Sequence, residues 1–103
     1  MSTVSTHVLD TALGRPAAGV PVTLLDAEST VLAEAVTDDD GRVRPLGGPV
    51  APGTYRVRFD LAGRDGFFPE VVIAFAVPDD EPDGHFHVPL LLSPFGYSTY
   101  RGS

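Results

Sequence analysis

Glycine and proline punctuate this chain at short intervals, and they constrain its fold more than any other feature. Eleven Gly and ten Pro among 103 residues divide it into short runs rich in β-branched and aromatic side chains. Proline removes a backbone donor and glycine is costly inside a helix, so such spacing disfavours helices. No segment keeps a helical period, and Leu61-Ala62-Gly63-Arg64-Asp65-Gly66 has room for one turn at most. Short strands separated by turn residues predict an all-β, two-sheet sandwich with little or no helix. Eight strands are expected, near residues 3–9, 20–26, 31–37, 42–45, 54–60, 70–77, 84–92 and 95–101, in one domain spanning 1–103.

Successive side chains of a strand point to opposite faces. In 54–60, Tyr55, Val57 and Phe59 alternate with Thr54, Arg56 and Arg58, a core face against a wet one. Val71, Ile73, Phe75 and Val77 form a second apolar row, and Phe86, Val88, Leu90 and Leu92 a third. His85, His87, Pro89 and Leu91 then face outward, as do His7 and Leu9 if Val4 and Val8 face the core. An outward face that mixes histidines with Leu9, Pro89 and Leu91 suggests a site roofed by a second subunit, because exposed apolar patches usually mark interfaces or binding sites.

Charge and composition narrow the partners. The net charge is −7 and the pI near 4.6, which argues against nucleic acid and anionic membranes. The runs Asp38-Asp39-Asp40 and Asp79-Asp80-Glu81-Pro82-Asp83 lack the spacing of a calcium-binding EF-hand and are expected to be solvated turns. No long apolar run suggests a transmembrane helix. The segment Met1-Ser2-Thr3-Val4-Ser5-Thr6-His7 has neither the basic nor the apolar region of a secretory signal. With no cysteine, disulfides and thiolate zinc sites are excluded, and a cytoplasmic location is expected.

Two layers of resemblance follow. Gly14-Arg15-Pro16-Ala17-Ala18-Gly19-Val20-Pro21-Val22-Thr23-Leu24, Thr37-Asp38-Asp39-Asp40-Gly41-Arg42 and Pro52-Gly53-Thr54-Tyr55-Arg56-Val57 resemble the prealbumin-like scaffold, also found in carboxypeptidase-regulatory-type domains. More specifically, Ser5-Thr6-His7-Val8-Leu9-Asp10, Asp40-Gly41-Arg42, Phe67-Phe68-Pro69-Glu70-Val71 and the segment from His85-Phe86-His87-Val88-Pro89 to Tyr100-Arg101-Gly102-Ser103 resemble the transthyretin-related family of 5-hydroxyisourate hydrolases. The resemblance covers essentially the whole chain, and the terminal Tyr-Arg-Gly-Ser distinguishes these enzymes from transthyretin, the hormone carrier.

The resemblance implies an eight-stranded sandwich, a homotetramer built as a dimer of dimers, and active sites where dimers meet. It places catalytic residues on His7, Arg42 and His87, and substrate contacts on Ser98, Tyr100, Arg101, Gly102 and Ser103. It implies 5-hydroxyisourate as substrate, metal-free and cofactor-free ring opening, and a step of urate degradation towards allantoin. The family's short helix before Phe67 has little room in the shortened 60–66 connection. Histidine can give or take a proton near neutrality, and the sequence leaves open which of His7 and His87 is the base. Arginine offers a planar fork of donors to carbonyl or oxyanion oxygens.

Other polar residues have plainer expected roles. His85 is expected to be a solvated residue at a strand start; joined with His7 and His87 it would make only a weak zinc signal. Asp10 should pin the turn after the first strand. Glu70 should make a structural hydrogen bond or ion pair. Tyr97 should pack towards the core, and the carboxylate of Ser103 should pair with a nearby arginine. Two non-catalytic alternatives are a transthyretin-type carrier of a small ligand and an interaction module of the carboxypeptidase-regulatory type.

Overall fold

The computed structural model describes residues 1–103 and contains nine strands and no helix. They are β1 (Thr3–Asp10), β2 (Arg15–Pro16), β3 (Pro21–Asp26), β4 (Val31–Val36), β5 (Arg42–Val43), β6 (Gly53–Asp60), β7 (Glu70–Val77), β8 (His85–Ser93) and β9 (Gly96–Thr99). One sheet runs β2-β1-β8-β9 with β5 also on β1, and the other runs β4-β3-β6-β7. Every pairing is antiparallel except β1 with β8, which run parallel from Thr3↔His85 to Asp10↔Leu92.

The inner faces of the two sheets meet in one core. Val4 and Val8 of β1, Val22 and Leu24 of β3, Val57 and Phe59 of β6, and Phe86, Val88 and Leu90 of β8 are all buried in it. Each such side chain stabilises the fold by roughly 1.5–3 kcal/mol relative to exposure. The expected alternation holds in β6 and, apart from a buried Pro89 and a half-buried Leu92, in β8; Thr54, Arg58 and His85 are not buried. In β7 only Val71 and Val77 are fully buried, because this strand forms the sheet's edge. Every buried side-chain polar atom has a partner; Thr6, for example, donates to the Val88 carbonyl at 2.6 Å.

Three boundaries differ from expectation, each for a backbone reason. Strand β2 has only two residues, one a proline, and carries no periodic signal; it lies against Leu9 and Asp10. Strand β5 stops at Val43 rather than continuing to residue 45, since Pro45 has no N–H to donate. The last strand ends at Thr99, not 101. In its register Pro89 lies opposite Tyr100, and the missing N–H of Pro89 interrupts the ladder. Pairing resumes at Gly102, whose N–H donates to the His87 carbonyl at 2.9 Å.

The 61–66 connection holds no helix. It is tied down by Arg64, which donates to the Asp10 carboxylate at 2.8 Å, and by the Phe67 N–H on the Pro94 carbonyl at 2.8 Å. Asp10 also accepts the Leu13 N–H at 3.0 Å, so it pins its turn as expected. That backbone bond, and then Arg64, hold its carboxyl below the usual 3.8 despite an opposing contribution from burial. Glu70 departs from expectation: it is exposed and takes part in none of the three ion pairs.

Candidate active site

The outward face of the β5-β1-β8 sheet collects the polar residues. Arg42 lies directly across from His7, His7 across from Pro89, Ser5 across from His87, and His87 across from Gly102. Because side chains alternate, Ser5, His7, Arg42 and His87 all project from one side of the sheet. His7 and His87 are diagonal neighbours on adjacent strands, two residues apart along the chain direction, or roughly 6.6 Å.

The turn before β5 presents Arg42. Asp38 accepts the N–H groups of Asp40 and Arg42 at 2.9 and 3.0 Å through one carboxylate oxygen. Gly41 follows with φ of 75°, a left-handed conformation that suits glycine. A side chain there would collide with the Val8 carbonyl. The same turn orients His7, whose Nε2 lies 2.8 Å from the Asp40 carbonyl oxygen. A carbonyl only accepts, so Nε2 carries the hydrogen and Nδ1 of the neutral ring keeps its lone pair. The acidic run 38–40 is therefore a turn-forming element with exposed carboxylates.

His87 is held differently. Its Nδ1 lies 2.7 Å from the Ser5 hydroxyl, and its Nε2 has no hydrogen-bond partner in the chain. Burial lowers its pKa below the usual 6.5, and Coulomb repulsion of its charged form, from Arg42 first and then from the direction of His7, His85 and Arg44, lowers it further. The imidazole is thus neutral at neutral pH and offers an unoccupied nitrogen on the face that carries Arg42.

Other expected residues are placed less uniformly. Gly102 lies so close to the His87 ring that a Cβ at this position would overlap it. Ser98 and Tyr100 lie on the same side as His87, and Tyr100 is exposed. Arg101 does not join them. Alternation turns it to the opposite side, where it pairs with Glu81 at 2.7 Å and lies 4.5 Å above the Phe86 ring. It therefore anchors the terminal segment rather than facing the histidines. The Ser103 carboxylate is in none of the ion pairs, contrary to expectation. Tyr97 is 42% exposed and packs edge-on against Phe68 outside the core. Pro89, expected on an open face, is fully buried; its small ring sits in the register between His7 and Tyr100.

Sequence reasoning missed Ser5, Thr3 and Arg44. It also expected a free His85 ring, whereas both of its nitrogens are engaged, Nδ1 with Thr3 Oγ1 at 2.6 Å and Nε2 with Ser5 Oγ at 2.9 Å. The signal for Ser5 was available, since it shares parity with His7 on β1. No group of three His, Asp or Glu side chains stands close enough to hold a metal ion.

A model of the HIUase/Transthyretin family matches residues 4–102. The chain belongs to the HIUase/transthyretin family. It is 48% identical to the 5-hydroxyisourate hydrolase of Caulobacter vibrioides, with 100% of both chains covered. It is 44% identical to the uric acid degradation bifunctional protein TTL of Arabidopsis thaliana, where 97% of this chain spans 37% of that protein. Among solved structures, Klebsiella pneumoniae 5-hydroxyisourate hydrolase superposes with a TM-score of 0.86 at 40% identity, covering 100% of this chain and 94% of that one. The two-sheet, all-β expectation is borne out by this likeness and by the strands themselves.

Proposed function

We propose that this protein hydrolyses 5-hydroxyisourate to 2-oxo-4-hydroxy-4-carboxy-5-ureidoimidazoline, a step of urate degradation towards allantoin. One observation carries this reading: a neutral His87 with a free Nε2 shares a face with Arg42 and His7. A carrier of small ligands gains nothing from a proton acceptor beside a guanidinium, whereas hydrolysis of a cyclic amide needs both. The named activity of the bacterial relatives supports the same substrate.

His87 Nε2 takes a proton from water as the water oxygen bonds to the six-membered ring's amide carbonyl carbon. Arg42 donates to the oxyanion that develops there. The C–N bond then breaks, the ring nitrogen receives a proton, and a carboxylate is left. His7, with Nε2–H fixed on Asp40 and Nδ1 free, serves as the second proton carrier. Ser98, Tyr100 and Gly102 border the substrate, and Ser103 completes that edge. No cofactor or metal takes part.

A homotetramer, arranged as a dimer of dimers, is part of this proposal. His7 and Arg42 line none of the clefts of the single chain, so the site face needs a second wall. Strands β7 and β9 leave open sheet edges, which favour pairing with another copy. Leu13, Phe67 and Phe95 are exposed at one end and offer a further apolar contact. No helix is long and apolar enough to cross a membrane. A cytoplasmic location fits the acidic, cysteine-free composition.

The test uses 5-hydroxyisourate made fresh from urate with urate oxidase. Ultraviolet decay faster than the spontaneous rate, proportional to added protein, supports the enzyme. Saturable binding with no acceleration would support the carrier instead.

A further inference from the structure

The hydrogen-bonded residues beneath His87 form an unbroken chain to the surface. The Ser5 hydroxyl bridges two imidazoles, 2.7 Å from His87 Nδ1 and 2.9 Å from His85 Nε2. His85 Nδ1 in turn meets the Thr3 hydroxyl at 2.6 Å. Ser5 is buried while His85 is exposed and Thr3 partly so. The parallel pairing of β1 with β8 makes this possible, since it sets Thr3 beside His85 and Ser5 beside His87.

A hydroxyl has one hydrogen to donate and lone pairs to accept. Ser5 must therefore donate to one ring and accept from the other, which couples their tautomers. Two complete arrangements exist. In one, His87 carries hydrogen on Nδ1 and its Nε2 is a base; in the other, Nδ1 accepts and Nε2 carries the hydrogen.

We propose that Thr3, His85, Ser5 and His87 form a proton relay that switches His87 between base and acid without charging its ring. This rests on the hydrolase reading above. When Nε2 takes the proton from water, the Nδ1 proton passes to Ser5 Oγ. The Ser5 proton passes to His85 Nε2, and the His85 Nδ1 proton leaves through Thr3 to bulk water. When Nε2 gives its proton to the departing ring nitrogen, each transfer runs in reverse, so no net proton is gained or lost. The need for such a relay is physical. Burial, together with Arg42 and Arg44 from β5 and its connection, His7 from β1 and His85 from β8, disfavours an imidazolium at His87. Ser5 and His85 are positioning and proton-passing residues that do not touch substrate.

The test compares wild type with Ser5→Ala, His85→Ala and His85→Gln. Glutamine retains donor and acceptor groups for Ser5 and Thr3 but cannot pass a proton. The relay predicts a fall in kcat of tenfold or more in all three variants, with KM within about twofold. It also predicts partial recovery of His85→Ala, but not Ser5→Ala, on adding free imidazole. Wild-type kcat in His85→Gln, or no imidazole recovery, would overturn the relay and leave His85 a structural prop. Nitrogen NMR of His87 gives a substrate-free readout: Ser5→Ala should change its tautomer ratio, and an unchanged ratio would also overturn the relay. A wild-type protein that does not hydrolyse 5-hydroxyisourate would instead sink the functional reading, with the tautomer result still deciding whether Ser5 couples the rings.

Discussion

Gly102 donates its N–H to the carbonyl of His87 at 2.9 Å, in the register that pairs β9 with β8. The terminal segment is thus a strand interrupted at Pro89 and resumed beside a candidate site residue. Arg101 holds it from the other side through Glu81 and the Phe86 ring.

That contact makes residue 102 sensitive to a single methyl group. The backbone there is outside the left-handed region, so alanine is disfavoured only by its collision with the His87 ring. Gly102→Ala should lower kcat/KM by tenfold or more, as the ring turns away from Ser5 or the segment detaches. Thermal unfolding should change by about 1 kcal/mol or less, since little core is involved. Unaltered kinetics would show that the segment does not position His87.

Burial and the cations around His87 set the pH dependence. A base works only when unprotonated, so activity is lost as pH falls through the His87 pKa, which lies below 6.5. Arg44 is the smallest of the named causes. Arg44→Gln should raise the acidic limb of the kcat/KM profile towards 6.5 and leave the rate at pH 8 nearly intact. A limb that stays in place would remove Arg44 from the electrostatics of the site.

Much of this face could be read from the sequence, because strand alternation is local. The parity of β1 and β8 put His7 and His87 on one side, and the Asp40-Gly41-Arg42 turn marked the start of β5. The Ser5 bridge was not visible in the same way. It depends on β1 and β8 running parallel in one particular register, a pairing of segments some 80 residues apart that neither strand encodes alone. Tyr97 shows the other limit of alternation. Parity says which side a residue faces, not how deeply it is covered: Tyr97 meets the Phe68 ring edge-on and stays 42% exposed. Pro89, placed outward by parity, is buried in the register between His7 and Tyr100.

Asp10 links the end of β1 to the short 61–66 connection through Arg64. Asp10→Ala removes the bonds from Leu13 and Arg64 and should cost about 1–2 kcal/mol at pH 7. The folded-state pKa of Asp10 is below 3.8, so its contribution is present above that value and is lost as pH falls through the lowered one. Denaturant titrations at pH 7 and in strong acid should show the gap between wild type and variant closing in acid. A gap that persisted unchanged would mean that Asp10 acts through packing rather than charge.

The most direct measurement compares wild type with His87→Asn on freshly generated 5-hydroxyisourate, with circular dichroism confirming that both are folded. Wild type should accelerate the ultraviolet decay, and the variant should lose at least a hundredfold in kcat. Asparagine can still bond Ser5 but cannot take a proton from water. Wild-type-like turnover in a folded His87→Asn protein would contradict the assignment of His87 as the base.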